Sequence, residues 1–212
     1  MLIGEPGTGK TLMIYNLIKN YLKTHHIGYV QNFKELIYNI ENISRYSLPS
    51  ILIFEDCESE FKKVNNYILN FLDGIYQPKV KKGVYIIFTT NSPVGVEDRI
   101  MKRPGRIDRI IHVGTLKHEE ALRCAQYYFK DFFDITEEYQ DVFHNLTGAQ
   151  IANMVNGVKS RALDVENIDK KLFIQVKNDM IRTWQEADKY AYRNYDKRSV
   201  KGFFPEEDET PF

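Results

Sequence analysis

Two cysteines and one tryptophan are all that this chain of 212 residues has of either type. Cys57 and Cys124 are too few for a disulfide scaffold or a Cys-rich zinc site, and they read as reduced thiols. An excess of one charge is missing too, since 29 basic residues balance 29 acidic ones. That balance argues against a strongly electrostatic nucleic-acid binder, while leaving room for a local basic patch. No apolar run approaches the roughly 20 residues that span a bilayer, and the chain does not open on a charged leader followed by an apolar stretch and a cleavage site. These absences lead us to expect an intracellular protein, the cytoplasm favoured, of one or two small domains.

What is present starts at once. Gly4-Glu5-Pro6-Gly7-Thr8-Gly9-Lys10-Thr11 fits G-x-x-x-x-G-K-[ST]. Glycines let a tight loop aim successive backbone N–H groups at phosphate oxygens, Lys10 adds a cation for the outer phosphates, and the Thr11 hydroxyl is suited to Mg²⁺. The segment that follows would supply a helix whose positive end faces the same phosphates. We therefore take Glu5, Pro6, Gly7, Thr8, Gly9, Lys10, Thr11 and Leu12 as the nucleotide-binding segment. Leu12, Ile14, Leu17, Ile18, Tyr21 and Leu22 recur at helical spacing, which predicts one face packed on a sheet. Only three residues precede Gly4, so the strand leading into the loop is expected to be very short, or the sequence to begin inside a longer protein.

Residues 27–30 suit a short strand and residues 33–43 have helical periodicity. Ile51-Leu52-Ile53-Phe54 then runs apolar without interruption into Glu55-Asp56. A buried parallel strand delivers carboxylates to the sheet's carboxyl edge in this way. In such a site one acid holds Mg²⁺ and the next polarises the attacking water. A third strand at 84–88 ends in Thr89-Thr90-Asn91, whose amide would lie beside those acids. Lys102-Arg103-Pro104-Gly105-Arg106-Ile107-Asp108-Arg109 follows, and then the strand-like Ile110-Ile111-His112-Val113.

In this order, with Leu72-Asp73-Gly74 between the acids and the third strand, these motifs resemble those of the AAA family of ATPases, from Gly4 to about Gly157. The resemblance implies a parallel α/β sheet of the P-loop NTPase type flanked by helices, then a small all-helical lid, in a homo-oligomeric ring, usually a hexamer. It implies ATP and Mg²⁺ as cofactors, with Thr11 and Glu55 at the metal, Asp56 activating water and Asn91 sensing the γ-phosphate. Arg103 and Arg106 match the pair that reaches into the neighbouring subunit's site, and Gly148 and Ala149 in Asn145-Leu146-Thr147-Gly148-Ala149-Gln150 match the region lying against adenosine. The Glu-Asp order reverses the usual Asp-Glu, as in the similar mitochondrial AAA chaperones that assemble respiratory complexes. The stretch from Asn91 to Arg103 is one residue longer than usual. The aromatic-hydrophobic-Gly loop that grips a polypeptide in many members is missing between the first two strands.

The domains expected are an ATPase core at 1–116, a lid at 117–190 with helices at 118–129, 137–143, 149–158 and 168–190, and a charged tail at 191–212. His118-Glu119-Glu120 starts like H-E-x-x-H but lacks the second histidine, so zinc-protease chemistry is not expected. His25-His26 reads as an exposed loop pair, and Lys79, Lys81 and Lys82 as a solvated loop. Tyr190, Tyr192 and Tyr195, interleaved with Arg193, Lys197 and Arg198, read as a packing surface. The function expected is ATP-driven remodelling of a macromolecular client, protein favoured over nucleic acid. A nucleic-acid motor or loader and a nucleotide-holding assembly subunit with weak hydrolysis are the alternatives.

Overall fold

The computed structural model describes residues 1–43, 47–74, 82–92, 100, 105–162 and 164–200, except the side chains of 188 and 190–200. Arg103, Lys79, Lys81, the tyrosine-basic side chains at 190–198 and the tail beyond 200 therefore lie outside the described residues. The rest falls into two compact units, Met1–Lys117 with Asn145–Gln150, and His118–His144 with the residues from 151 onward. The stretch Asn145–Gln150, which the sequence grouped with the lid, belongs to the first unit.

The first unit is a five-stranded parallel sheet: β1 (Leu2–Ile3), β2 (His26–Tyr29), β3 (Ser50–Phe54), β4 (Val84–Thr90) and β5 (Ile111–His112), in the spatial order β2-β3-β4-β1-β5. Every residue of β3 is buried, as an uninterrupted apolar strand covered on both faces must be. One face carries α2 (Phe33–Ile43), α3 (Glu58–Phe61) and α4 (Asn66–Leu72). Asn32 accepts the Glu35 N–H at 2.9 Å to start α2, and Phe33, Leu36, Ile37, Ile40 and Ile43 form its buried stripe. Phe33, Phe54, Phe61 and Phe88 meet there, the Phe33 ring edge-on to Phe54 and Phe61 at 5.5 Å, a geometry that suits the ring quadrupoles.

The other face carries α1 (Lys10–Tyr21). Its contact is narrower than the sequence predicted. Only Ile14 and Ile18 of the apolar set are buried, against Leu2, Ile51 and Ile53, whereas Leu12, Leu17, Tyr21 and Leu22 are exposed. Residues at i and i+4 follow one line along a helix, and that line alone reaches the sheet. His25 and His26 are also not the exposed loop pair expected: both are half-buried, His26 opening β2 and His25 packing edge-on to Tyr21 at 4.9 Å.

The second unit is helical: α5 (His118–Phe129), α6 (Gln140–Phe143), most of α7 (Gly148–Arg161) and α8 (Lys170–Val200). Phe173 is its hub, ringed by Phe129, Phe133, Tyr139 and Phe143 with centroids 4.9 to 6.1 Å away. α8 continues to Val200, past the expected end at 190, because the sequence offers no Gly or Pro before Gly202. Among the described residues no helix is long and apolar enough to cross a membrane.

Candidate functional site

Parallel pairing puts the ends of β1, β3 and β4 at one edge of the sheet, and the loop after β1 closes there around its own lysine. The Lys10 ammonium, on a buried side chain, donates to the Gly4 carbonyl at 2.7 Å, the Glu5 carbonyl at 3.1 Å and Asn91 Oδ1 at 2.8 Å. Thr8 Oγ1 donates to the Glu5 carbonyl at 2.9 Å and tightens the turn. Gly9 caps α1 at φ 98, a left-handed conformation that glycine takes without steric cost. No side chain caps the helix and no acid lies in its first turn, so its N–H groups and positive pole remain for an anion.

The two acids after β3 part company. Thr11 Oγ1 donates to Glu55 Oε1 at 2.7 Å. Asp56 turns toward β4 and accepts the Asn91 carboxamide N–H on Oδ1 at 3.1 Å. Its backbone sits at φ 48, a region that Asp tolerates better than most residues. The turn is pinned to β4 through Thr89: the Asp56 N–H donates to Thr89 Oγ1 at 2.9 Å and the Cys57 N–H to the Thr89 carbonyl at 3.0 Å. Cys57 Sγ donates to the same carbonyl at 2.9 Å, and burial, first among several causes, pushes this thiol far above its ordinary pKa. Asn91 thus joins Lys10 on one side to Asp56 on the other.

Two features of this site escaped the sequence. Glu58, the first residue of α3, accepts the Asn91 backbone N–H and the Thr90 hydroxyl, the latter at 3.1 Å. Burial works against its ionisation, but those hydrogen bonds and the nearby Lys10 charge hold its carboxyl below the usual range. The only sequence signal was an acid three positions after Glu55. The second is Asp73, whose two carboxylate oxygens each accept from Arg106 at 2.6 Å, Nε to Oδ1 and Nη2 to Oδ2. Within the first unit, Arg106 is buried and Asp73 is mostly covered. Arg106, expected to face a neighbouring subunit, is thus turned into its own chain, where its planar fork matches a carboxylate. Leu72-Asp73-Gly74 was legible as a motif, but not as the partner of Arg106.

The turn that opens α7 docks on the phosphate-loop sequence. Thr147 and Gln150 cap each other, the Gln150 N–H donating to Thr147 Oγ1 at 3.2 Å and the Thr147 N–H to Gln150 Oε1 at 2.8 Å, a capping box. The Ala149 N–H donates to the Gly7 carbonyl at 3.1 Å. A Cβ on Gly7, already at φ 80, would come within 2.7 Å of the Ala149 Cβ. Gly148 and Ala149 therefore lie beside the loop.

Thr11 Oγ1 and Glu55 Oε1 are neighbouring hard-oxygen donors, the class that Mg²⁺ takes. Among the described residues no group of three or more His, Cys, Asp or Glu is arranged to hold a metal. An ion held by these two oxygens would have to complete its shell with phosphate oxygens and water, as Mg²⁺ does at nucleotide sites. Glu5, Pro6 and Leu12 flank the loop, and all three are exposed.

Residues 1–115 match the family model "ATPase family associated with various cellular activities (AAA)". The chain is 29% identical to a cell division cycle ATPase of Plasmodium falciparum, over 81% of this chain and 16% of that protein. It is 25% identical to the peroxisomal ATPase pex6 of Schizosaccharomyces pombe, over 98% of this chain and 24% of the relative. The ribosome biogenesis ATPase RIX7 of Saccharomyces cerevisiae is 25% identical over 73% of this chain and 21% of its own length. This chain thus spans less than a quarter of each of these relatives.

Proposed function

This chain belongs to the AAA family of ATPases, and we propose from that membership how its site turns ATP into ADP and phosphate and what the turnover serves. Lys10 and the N–H groups of the loop and of the first turn of α1 bind the phosphates, with Glu5, Pro6, Gly7, Thr8, Gly9 and Leu12 shaping the cradle. Gly148 and Ala149 meet the nucleoside. Thr11 and Glu55 hold Mg²⁺, which supplies positive charge to the phosphate oxygens. Asp56 takes the proton of the attacking water, and Asn91 orients that water and the γ-phosphate. The observation that carries this reading is the division of the two acids: Glu55 contacts the Thr11 hydroxyl, while Asp56 contacts Asn91, which itself takes Lys10.

A homo-oligomeric ring, a hexamer by family habit, completes the site with Arg103 from the neighbour, while Arg106 serves its own chain through Asp73. A guanidinium supplied in this way offsets charge on the transferred phosphoryl group and is worth about 10³ to 10⁵ in rate in analogous enzymes. The work done is remodelling of a macromolecular client. The similar proteins are named for peroxisomes and ribosome biogenesis, so the chemistry is shared and the client is not. The balanced charge favours a protein client over nucleic acid, and ATP as substrate puts the protein inside a cell, the cytoplasm favoured.

The test compares Lys10→Ala and Asp56→Asn with the unaltered chain in phosphate release and in binding of a fluorescent ATP analogue. Lys10→Ala should lose binding. Asp56→Asn should keep it and lose about 10² to 10⁴ in turnover, the usual worth of a general base. An unaltered chain that releases no phosphate from ATP, or an Asp56→Asn variant at full rate, overturns the reading.

A further inference from the structure

None of the roles above uses Glu58, yet its carboxylate takes the Asn91 main-chain N–H. Oε1 accepts the Asn91 main-chain N–H, and Thr90 Oγ1 lies 3.1 Å from the same oxygen. The Thr90 hydroxyl has a second acceptor in the Ser92 carbonyl at 2.8 Å, and a hydroxyl has one proton to give. The Asn91 amide has no such choice, so the bond from Asn91 to Glu58 is the fixed one. The Asn91 side chain, meanwhile, must meet Lys10 Nζ at 2.8 Å and Asp56 Oδ1 at 3.1 Å together. A carboxamide is rigid and short, so both distances depend on where the Asn91 backbone is held. β4 ends at Thr90, one residue earlier, and sheet pairing no longer holds that backbone.

We propose that Glu58 is a positioning residue for hydrolysis: by accepting the Asn91 main-chain N–H it anchors the strand end, so that the Asn91 carboxamide spans Lys10 and Asp56. This rests on the function proposed above and adds a residue to its machinery. Glu58 touches neither phosphate nor water; it acts through Asn91. α3 supplies the rigidity. Its Phe61 is fully buried and packs on Phe33 at 5.5 Å and Phe88 at 5.3 Å, so the helix that carries Glu58 is nailed to the core beneath β4. A misplacement of about 1 Å in a catalytic array costs on the order of 10²-fold in rate, which sets the size of the expected effect.

The experiment measures kcat, KM for ATP and affinity for a fluorescent ATP analogue in the assembled protein. Glu58→Ala should lower kcat about 10- to 100-fold, leaving KM and affinity within about twofold of the unaltered protein. Glu58→Gln keeps an oxygen that can accept the Asn91 N–H, and should retain most of the rate. Glu58→Asp keeps the charge, loses the reach and should fall with the alanine variant, which preserves the test if Glu58→Ala does not fold. In an Asn91→Ala background Glu58→Ala should add little, because two residues acting as one unit are not additive. Full activity in Glu58→Ala and Glu58→Asp, an equal loss in both backgrounds, or a Glu58→Gln variant as slow as Glu58→Ala would each overturn the proposal. An unaltered protein with no ATPase activity would instead overturn the function it rests on, so the two failures are distinguishable.

Discussion

At the scale of single residues, the site is a network of donors and acceptors that share partners, and Glu58 makes the clearest pH statement. Its carboxyl is held below the ordinary value of 4.5 in the folded chain: burial works against ionisation, but the Asn91 and Thr90 hydrogen bonds and the Lys10 charge outweigh it. The unfolded chain therefore binds this proton more readily than the folded one, and stability rises with pH across the interval between the two values. The contribution is fully present above about 4.5 and is lost as pH falls through the lower, folded value. Urea midpoints measured between pH 6 and pH 3 should drop more steeply for the unaltered chain than for Glu58→Gln. Parallel curves would mean that the carboxylate is not held as described.

At the scale of elements, the ion pair between Asp73, which caps the C-terminus of α4, and Arg106 ties that helix to the segment before β5. Removing one member of a buried pair leaves an uncompensated charge and costs about 3 to 5 kcal/mol, while replacing both by apolar residues of similar size is often neutral. Arg106→Met should lower stability by that amount in urea unfolding, and Asp73→Leu combined with Arg106→Met should recover most of it. Equal loss in the single and double variants would argue against a paired role. This pair also marks where sequence reasoning stops. The phosphate loop, the strand at 50–54 and the helix at 33–43 were legible because each is a local pattern: a glycine spacing, an uninterrupted apolar run, a stripe at helical period. Asn91 was legible because a polar tip on an apolar strand has one place to go. Which of Glu55, Asp56 and Glu58 folds back onto β4 is not written in their spacing, and neither is the joining of Asp73 to Arg106 across 33 positions. For α1, periodicity named every apolar residue that could face the sheet, but only the contact itself limits the buried ones to Ile14 and Ile18.

At the scale of the whole molecule, one protomer brings Lys10, Thr11, Glu55, Asp56 and Asn91 together within its first unit, but its Arg106 is engaged with its own Asp73. The charge that develops on a transferred phosphoryl group still needs a cation beyond Lys10, and in the function proposed here that cation is Arg103 of an adjacent copy. Subunit mixing decides the matter. An Asp56→Asn protomer cannot activate water in its own site but can lend its Arg103; an Arg103→Ala protomer has the complementary defect. Each variant alone should be nearly inactive. Mixed in equal amounts and allowed to exchange, about a quarter of the interfaces in a cyclic assembly would unite an intact Asp56 with an intact Arg103, by random placement around the ring. Phosphate release should climb to a comparable fraction of the unaltered rate and follow the product of the two subunit fractions as the ratio is varied. If no ratio restores activity although the variants co-assemble, Arg103 does not act across the interface. If Arg103→Ala alone hydrolyses ATP at full speed, the site is complete within one chain.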